Sequence, residues 1–211
     1  MNPKAVIWDM DGTLIDSEPL HADALASALN VVGLAPVDGL HEKVIGLSAD
    51  AVYDWLCNHH GLTLPFADWI VIKYDRYLDR LGELRPMPGA LEFWAEASSI
   101  GLAQAVASNS DRIIVDANLK QIGVTRPGLA TVSRNDVRAG KPDPEIYLRA
   151  AWLLGVDPSE AVALEDSLTG ARAAVAAGMR TFMIGGSPHS VPDGIIHAQT
   201  PLDVMQEIQK A

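Results

Sequence analysis

Apolar positions along this chain keep two different rhythms. "KAVIWD", residues 4–9, is a short apolar run with β-branched members, the pattern of a buried strand, and it stops at Asp9. From residue 87 onward, short apolar runs alternate with amphipathic stretches. "ALEFWAEASSIG" predicts a helix and "LAQAVAS" a strand; "SDRIIVDANLKQIG" predicts a helix and "GLATVSR" a strand. "DPEIYLRAAWLLG", "AVALED", "SLTGARAAVAAG" and "RTFMIGG" continue that alternation, and "PLDVMQEIQK" closes it with a short helix. Such alternation predicts a parallel sheet covered on both faces.

Between these parts, to about residue 84, the pattern is helical throughout. "DSEPLHADALASALNVVG" has Ser17 placed to cap, Pro19 in the first turn and Gly33 to end the helix. "SADAVYDWLCNHHG" has Ser48 placed to cap, sets Val52 and Leu56 four apart and stops at Gly61. "PFADWIVIKYDRYLDRLG" puts Phe66, Ile70, Tyr74 or Tyr77, Leu78 and Leu81 on one stripe. "LRPMPGA" punctuates the return to alternation. The expectation is an α/β fold: a doubly wound, mainly parallel, Rossmann-type sheet built from residues 1–15 and 87–211. Residues 16–86 are inserted into it as a helical cap domain.

Composition narrows the field of functions. The 211 residues carry a formal charge of -11. That argues against nucleic acid, whose phosphates need a cationic footprint. An anionic small substrate would likewise need local positive charge. A single cysteine, Cys57, forbids an internal disulfide and fits a reducing compartment; the opening apolar run is too short for a signal peptide. No stretch reaches membrane-spanning length. A cytoplasmic protein is expected.

Polar side chains collect where such a fold holds its ligands, beyond the carboxyl ends of the strands. Asp9 and Asp11 follow the first strand, Ser108 ends "LAQAVAS", Lys141 lies in "RNDVRAGKPDP", and Glu165 and Asp166 end "AVALED". Each alone has an ordinary reading: a turn, a helix cap, a solvated lysine, an acidic helix start. All four features at one rim are harder to explain so. Residues i and i+2 of an extended segment share a side, so Asp9 and Asp11 can face one pocket. Four carboxylates cannot all stay ionised there unpaired. An all-oxygen site without Cys or His suits Mg²⁺. Lys141 adds positive charge, and the Ser108 hydroxyl can donate to a phosphoryl oxygen.

"DMDGTL", "ASNS", "GKPDPEIY" and "LEDSLTGARAAVAAGM" resemble the four successive motifs of the haloacid dehalogenase-like (HAD) hydrolase superfamily. With "DSEPLH" entering the inserted helices, the chain resembles the subgroup of β-phosphoglucomutase and small sugar-phosphate phosphatases. The resemblance implies Asp9 as nucleophile, Asp11 as acid and base, and Ser108 and Lys141 holding the phosphoryl group. It implies Mg²⁺ on Asp9, the carbonyl of Asp11 and Asp166, with Glu165 either on the ion or directly behind its ligands, and Asn109 hydrogen-bonding beside the phosphate. His21, on the first inserted helix, is a candidate substrate contact. The implied activity is hydrolysis of a small phosphorylated metabolite, a sugar or polyol monophosphate; protein partners are left open.

Rival readings meet particular residues. A dehalogenase expels halide and has no use for Asp11. The mutase pattern carries an arginine after the "GxS" of its cap loop, where this chain has Ala49; Lys43, Lys73 or Arg76 are the possible substitutes. A phospho-receiver lacks both the second acid and the inserted helices. A nucleotide-binding P-loop fails because Pro142 follows Gly140-Lys141 and Asn135 stands at the first glycine position. His59 and His60 read as helix-end residues, Trp55 and Trp69 as cap core, and "GGSPHSVPDG" as a loop without an assigned task.

Overall fold

The structure is a computed structural model that describes residues 2–35, 37, 39–44, 46–187 and 191–210. β1 (Ala5–Trp8) is fully buried because it runs between two neighbours, parallel to β4 (Ala103–Ala107) on one side and to β6 (Ala161–Glu165) on the other. β5 (Ala130–Val132) extends the sheet past β4, and β7 (Arg180–Ile184) and β8 (Ile195–Ala198) extend it past β6. The order is β5-β4-β1-β6-β7-β8, and every pairing is parallel.

Side-chain alternation gives the sheet two unlike faces. Val6, Trp8, Val106, Val162, Leu164 and Phe182 point to one face. There they meet α5 (Ala90–Ser99), α6 (Arg112–Gln121) and α9 (Pro201–Gln209). Ala5, Ile7, Ala105, Ala107, Ala161 and Ala163 point to the other face, under α7 (Glu145–Leu154) and α8 (Leu168–Ala176). Those helices answer with Ala150, Ala151, Ala173 and Ala174, so small residues meet small residues and the backbones approach closely. One buried polar group needs partners on the larger face: Gln104 accepts from Trp8 Nε1 and donates to the Trp94 carbonyl and Ser98.

The inserted helices are α1 (Glu18–Val31), α2 (Leu40–Val44), α3 (Ala49–His60) and α4 (Phe66–Asp79). Leu25, Leu29, Val52, Leu56, Leu62 and Trp69 form a cluster of their own among them, with Trp55 packed against it. Leu20 and Ala24 of α1 and Tyr77 of α4 instead join the large-residue face of the sheet. Both chain passages into this segment are paired: β2 (Ile15–Asp16) runs antiparallel to β3 (Arg85–Pro86).

Four local features depart from the sequence reading. The β2/β3 ribbon is too short to carry a hydrophobic period. β8 was hidden because "IIHA" is four residues in a Gly- and Pro-rich region; residues 188–190 of the neighbouring loop lie outside the described residues. Ser17 and Ser48 start α1 and α3 without a side-chain cap bond, the Ser17 hydroxyl being drawn instead to Asp11. On α4 the predicted stripe holds in part: Tyr77 is buried and Ile70, Tyr74, Leu78 and Leu81 are partly buried against the clusters, but Trp69 and Lys73 are buried beside them and Phe66 is 37% exposed. Among the described residues, no helix is long and apolar enough to cross a membrane.

Candidate active site

Asp9 lies one residue beyond β1, its amide still bonded to the Leu164 carbonyl, so the strand itself aims the carboxylate. Lys141 comes in from the loop before α7. Its ammonium is buried between Asp9, with which it makes a short hydrogen bond, and Glu165, 2.6 Å away. Glu165 ends β6 and is fully buried. Its Oε1 also accepts from the Tyr147 hydroxyl at 2.6 Å and its Oε2 from the Ser167 hydroxyl at 3.1 Å. Both oxygens of Glu165 are therefore spoken for, and its local effect is to hold Lys141 in place.

Asp166 completes the acidic group, accepting from the Thr13 hydroxyl at 3.2 Å. Gly12 makes room for it. At φ +83° a side chain would be strained, and a Cβ would also lie 2.2 Å from Asp166 Oδ2. Asp9, Glu165 and Asp166 each offer an oxygen within 4.8 Å of the others. Burial, together with the charges of Glu165 and Asp166, pushes the Asp9 carboxyl well above the ordinary carboxylate range despite Lys141. Burial and Glu165 push Asp166 to about 7. Lys141 shows the complement: its two carboxylate partners overcome burial and raise it above the ordinary lysine value. Two buried acids and the partly buried Asp166 stand around one ammonium, a deficit of positive charge. An oxygen-only donor set of this kind fits a hard divalent cation.

Asp11 sits beside this cluster in a different environment. Burial opposes its ionisation, but His21, Ser17 and Ser110 outweigh it and hold the carboxyl at about 2. Ser17 lies 2.6 Å and His21 Nε2 3.4 Å from Oδ1; Ser110 lies 2.8 Å and Ser108 3.2 Å from Oδ2. His21 is fixed by its ring contact with Tyr77, at 4.4 Å between centroids. Ser108 is fully buried and accepts from the Ser110 amide, so Asn109 and Ser110 form the wall in front of it.

These groups open onto a cavity of about 80 Å³ between the sheet edge and the inserted helices. Glu18, His21, Ala22 and Leu25 present one stripe of α1 to it, and Leu25, Val44, Leu47 and Val52 make an apolar far wall. Lys73 and Tyr74 of α4 reach it as well. Burial draws the Lys73 ammonium down to about 8 and pushes the Glu18 carboxyl up to about 7. Of the residues singled out in the sequence, Asp9, Asp11, Asp166, Lys141, Asn109 and His21 all face this cavity, with Ser108 and Glu165 directly behind. Sequence reasoning missed Glu18, Thr13, Tyr74 and Tyr147. The α1 stripe could have revealed Glu18, whereas a tyrosine in an amphipathic helix carries no signal beyond core.

The sequence model of the haloacid dehalogenase-like hydrolases matches residues 3–178. Hexitol phosphatase B of Escherichia coli K12 is 34% identical over 184 residues, 85% of this chain and 82% of that protein. A phosphorylated carbohydrates phosphatase of Thermotoga maritima is 30% identical over 202 residues, 90% of this chain and 88% of its own length. The crystal structure of CbbY from Rhodobacter sphaeroides in complex with phosphate superposes with a TM-score of 0.85 at 28% identity, covering 94% of this chain and 95% of that one.

Proposed function

The chain belongs to the haloacid dehalogenase-like hydrolases, and from that premise we propose that it is a magnesium-dependent phosphatase of small sugar or polyol monophosphates. It is a hydrolase of phosphate monoesters, and relatives named for hexitol and carbohydrate phosphates support the substrate class. The observation that carries the reading is one buried ammonium, Lys141, shared by Asp9 and Glu165, with Asp166 beside them and Asp11 held separately by hydroxyls. Residues 16–86 act as the cap over residues 1–15 and 87–211.

In this reading an Asp9 oxygen attacks phosphorus, forming an aspartyl-phosphate as the bond to the leaving oxygen breaks. Lys141 orients Asp9 and offsets charge on the phosphoryl oxygens, while Ser108 supports their binding from behind Asn109 and Ser110. Asp11 protonates the leaving alkoxide, then takes a proton from the water that releases Asp9. At rest Asp11 is ionised; a phosphoryl dianion arriving beside it raises its carboxyl, and His21 is the titratable neighbour in contact. Asp9, Asp166 and the Asp11 carbonyl would hold Mg²⁺, with Glu165 beside them keeping Lys141 in place, and the ion supplies charge neutralisation when bound. Asn109 braces the phosphate side, and the apolar far wall takes a small carbon skeleton. A cytoplasmic location, with no nucleic-acid or membrane partner, goes with the acidic charge and single cysteine.

A phosphomutase is the second reading. Lys73 favours it, because of the three cationic candidates it is the one that lines the cavity. Lys43 instead lies over Trp55. Phosphate release across a panel of metabolite monophosphates, with and without Mg²⁺, tests the first reading: release requires the metal, and Asp9→Asn abolishes it without unfolding the protein. Isomerised glucose phosphate, formed from glucose 1-phosphate and its bisphosphate without free phosphate, would establish the second.

A further inference from the structure

The 46–50 loop of the inserted segment, which runs into the first turn of α3 at Ala49 and Asp50, touches the sheet half of the molecule through two polar contacts among the described residues. Arg134 Nη2 lies 2.9 Å from Asp50 Oδ2, an ion pair spanning 84 residues of sequence. Asn109 Nδ2 donates to the Gly46 carbonyl at 3.2 Å. Both sheet-side residues also hold the loop that carries Lys141. Arg134 Nη1 donates to the Val137 carbonyl at 3.2 Å. Asn109 accepts from the Lys141 amide at 2.8 Å and donates to the Lys141 carbonyl at 3.3 Å. Gly140 is packed between the Asn109 and Arg134 side chains. Each of the two residues thus grips the 46–50 loop with one atom and the Lys141 loop with another.

An acidic residue in the first turn of α3 has an ordinary explanation in the helix dipole. That explanation needs no partner, whereas Asp50 has one, from a residue anchored to the opposite wall of the cavity. Gly46, Leu47 and Ala49 line the cavity from the helical side, and Asn109 and Lys141 line it from the sheet side. We propose that Asp50 and Arg134 are positioning residues whose ion pair latches the 46–50 loop onto the Lys141 loop. Closure over the site and the seating of Lys141 then become one event. The latch rests on the phosphatase reading above for its catalytic consequence, but not for its mechanical one.

The pair is part-exposed, with side-chain exposures of 23% and 50%, so its effect is modest. Asp50→Asn and Arg134→Gln each lower kcat/KM about two- to fivefold, the range of an exposed ion pair. The double variant falls no further than Arg134→Gln alone, because Asp50→Asn then removes only a contact already lost. Asp50→Glu restores most of the loss, and high salt erases the difference from wild type. Hydrogen exchange supplies a second readout: in Asp50→Asn, amides of residues 46–50 and of residues 139–141 exchange faster together. An active wild type whose variants keep wild-type kcat/KM, with the two segments exchanging independently, overturns the latch and leaves the phosphatase reading standing. A wild type that releases no phosphate from any panel substrate overturns the phosphatase reading instead. Exchange alone then decides the latch, coupled segments upholding it and uncoupled ones ending it.

Discussion

Two aspartates two residues apart live in opposite surroundings, and their chemistry follows. Asp9 shares a buried acidic cluster; Asp11 is solvated by hydroxyls and a histidine. Asp11→Asn keeps the shape but removes the transferable proton. It slows hydrolysis of an alkyl phosphate by about 10²–10⁴-fold, the usual contribution of acid–base catalysis, and that of p-nitrophenyl phosphate far less. Rate measurements on both substrates check this. Lys73 makes a stability prediction. Its ammonium is buried, and burial lowers it from 10.5 to about 8. Between those values the unfolded chain binds more protons than the native one, so stability rises with pH there and the cost of burial is fully present below 8. At about 1.4 kcal/mol per pKa unit that cost is on the order of 3 kcal/mol. Lys73→Met is more stable than wild type at pH 7, and the gap closes toward pH 10.5, as urea denaturation at a series of pH values would show.

At the scale of elements, close approach decides more than propensity does. Gly170 is in the first turn of α8, where alanine ordinarily improves a helix by about 1 kcal/mol. Here a Cβ would lie 1.8 Å from Glu165 Oε1. Gly170→Ala therefore destabilises the protein and displaces Glu165 from Lys141, seen as a lower Tm with a fall in kcat. The acidic rim is legible in the sequence because parallel strands deliver their carboxyl ends to one edge; strand runs ending in Asp9, Ser108 and Glu165 locate it without coordinates. What lies across from that edge is not legible in the same way. On α4, Trp69 packs among the inserted helices and Tyr77 on the sheet side, so burial there is wider than the one apolar stripe the sequence shows. Ser17 shows the same limit, since a cap serine and an Asp11 donor look identical in sequence.

For the whole molecule, the deficit of positive charge at the sheet edge links stability to the metal. Mg²⁺ at 100 times its dissociation constant adds about 2.7 kcal/mol. For a chain of this size that raises Tm by about 5–10 °C. Asp166→Asn loses most of this response while raising the Tm of the metal-free protein, because one of three crowded acids is neutralised. Thermal melts with Mg²⁺ and with chelator separate the two effects. In the proposed mechanism a carboxylate oxygen of Asp9 is the atom that receives phosphorus. The most direct test is rapid acid quench during turnover of a ³²P-labelled sugar monophosphate, followed by peptide mapping. The predicted result is a base-labile label on the peptide containing Asp9, absent from Asp9→Asn. Full turnover with no label on that peptide, or with the label on another residue, would contradict it.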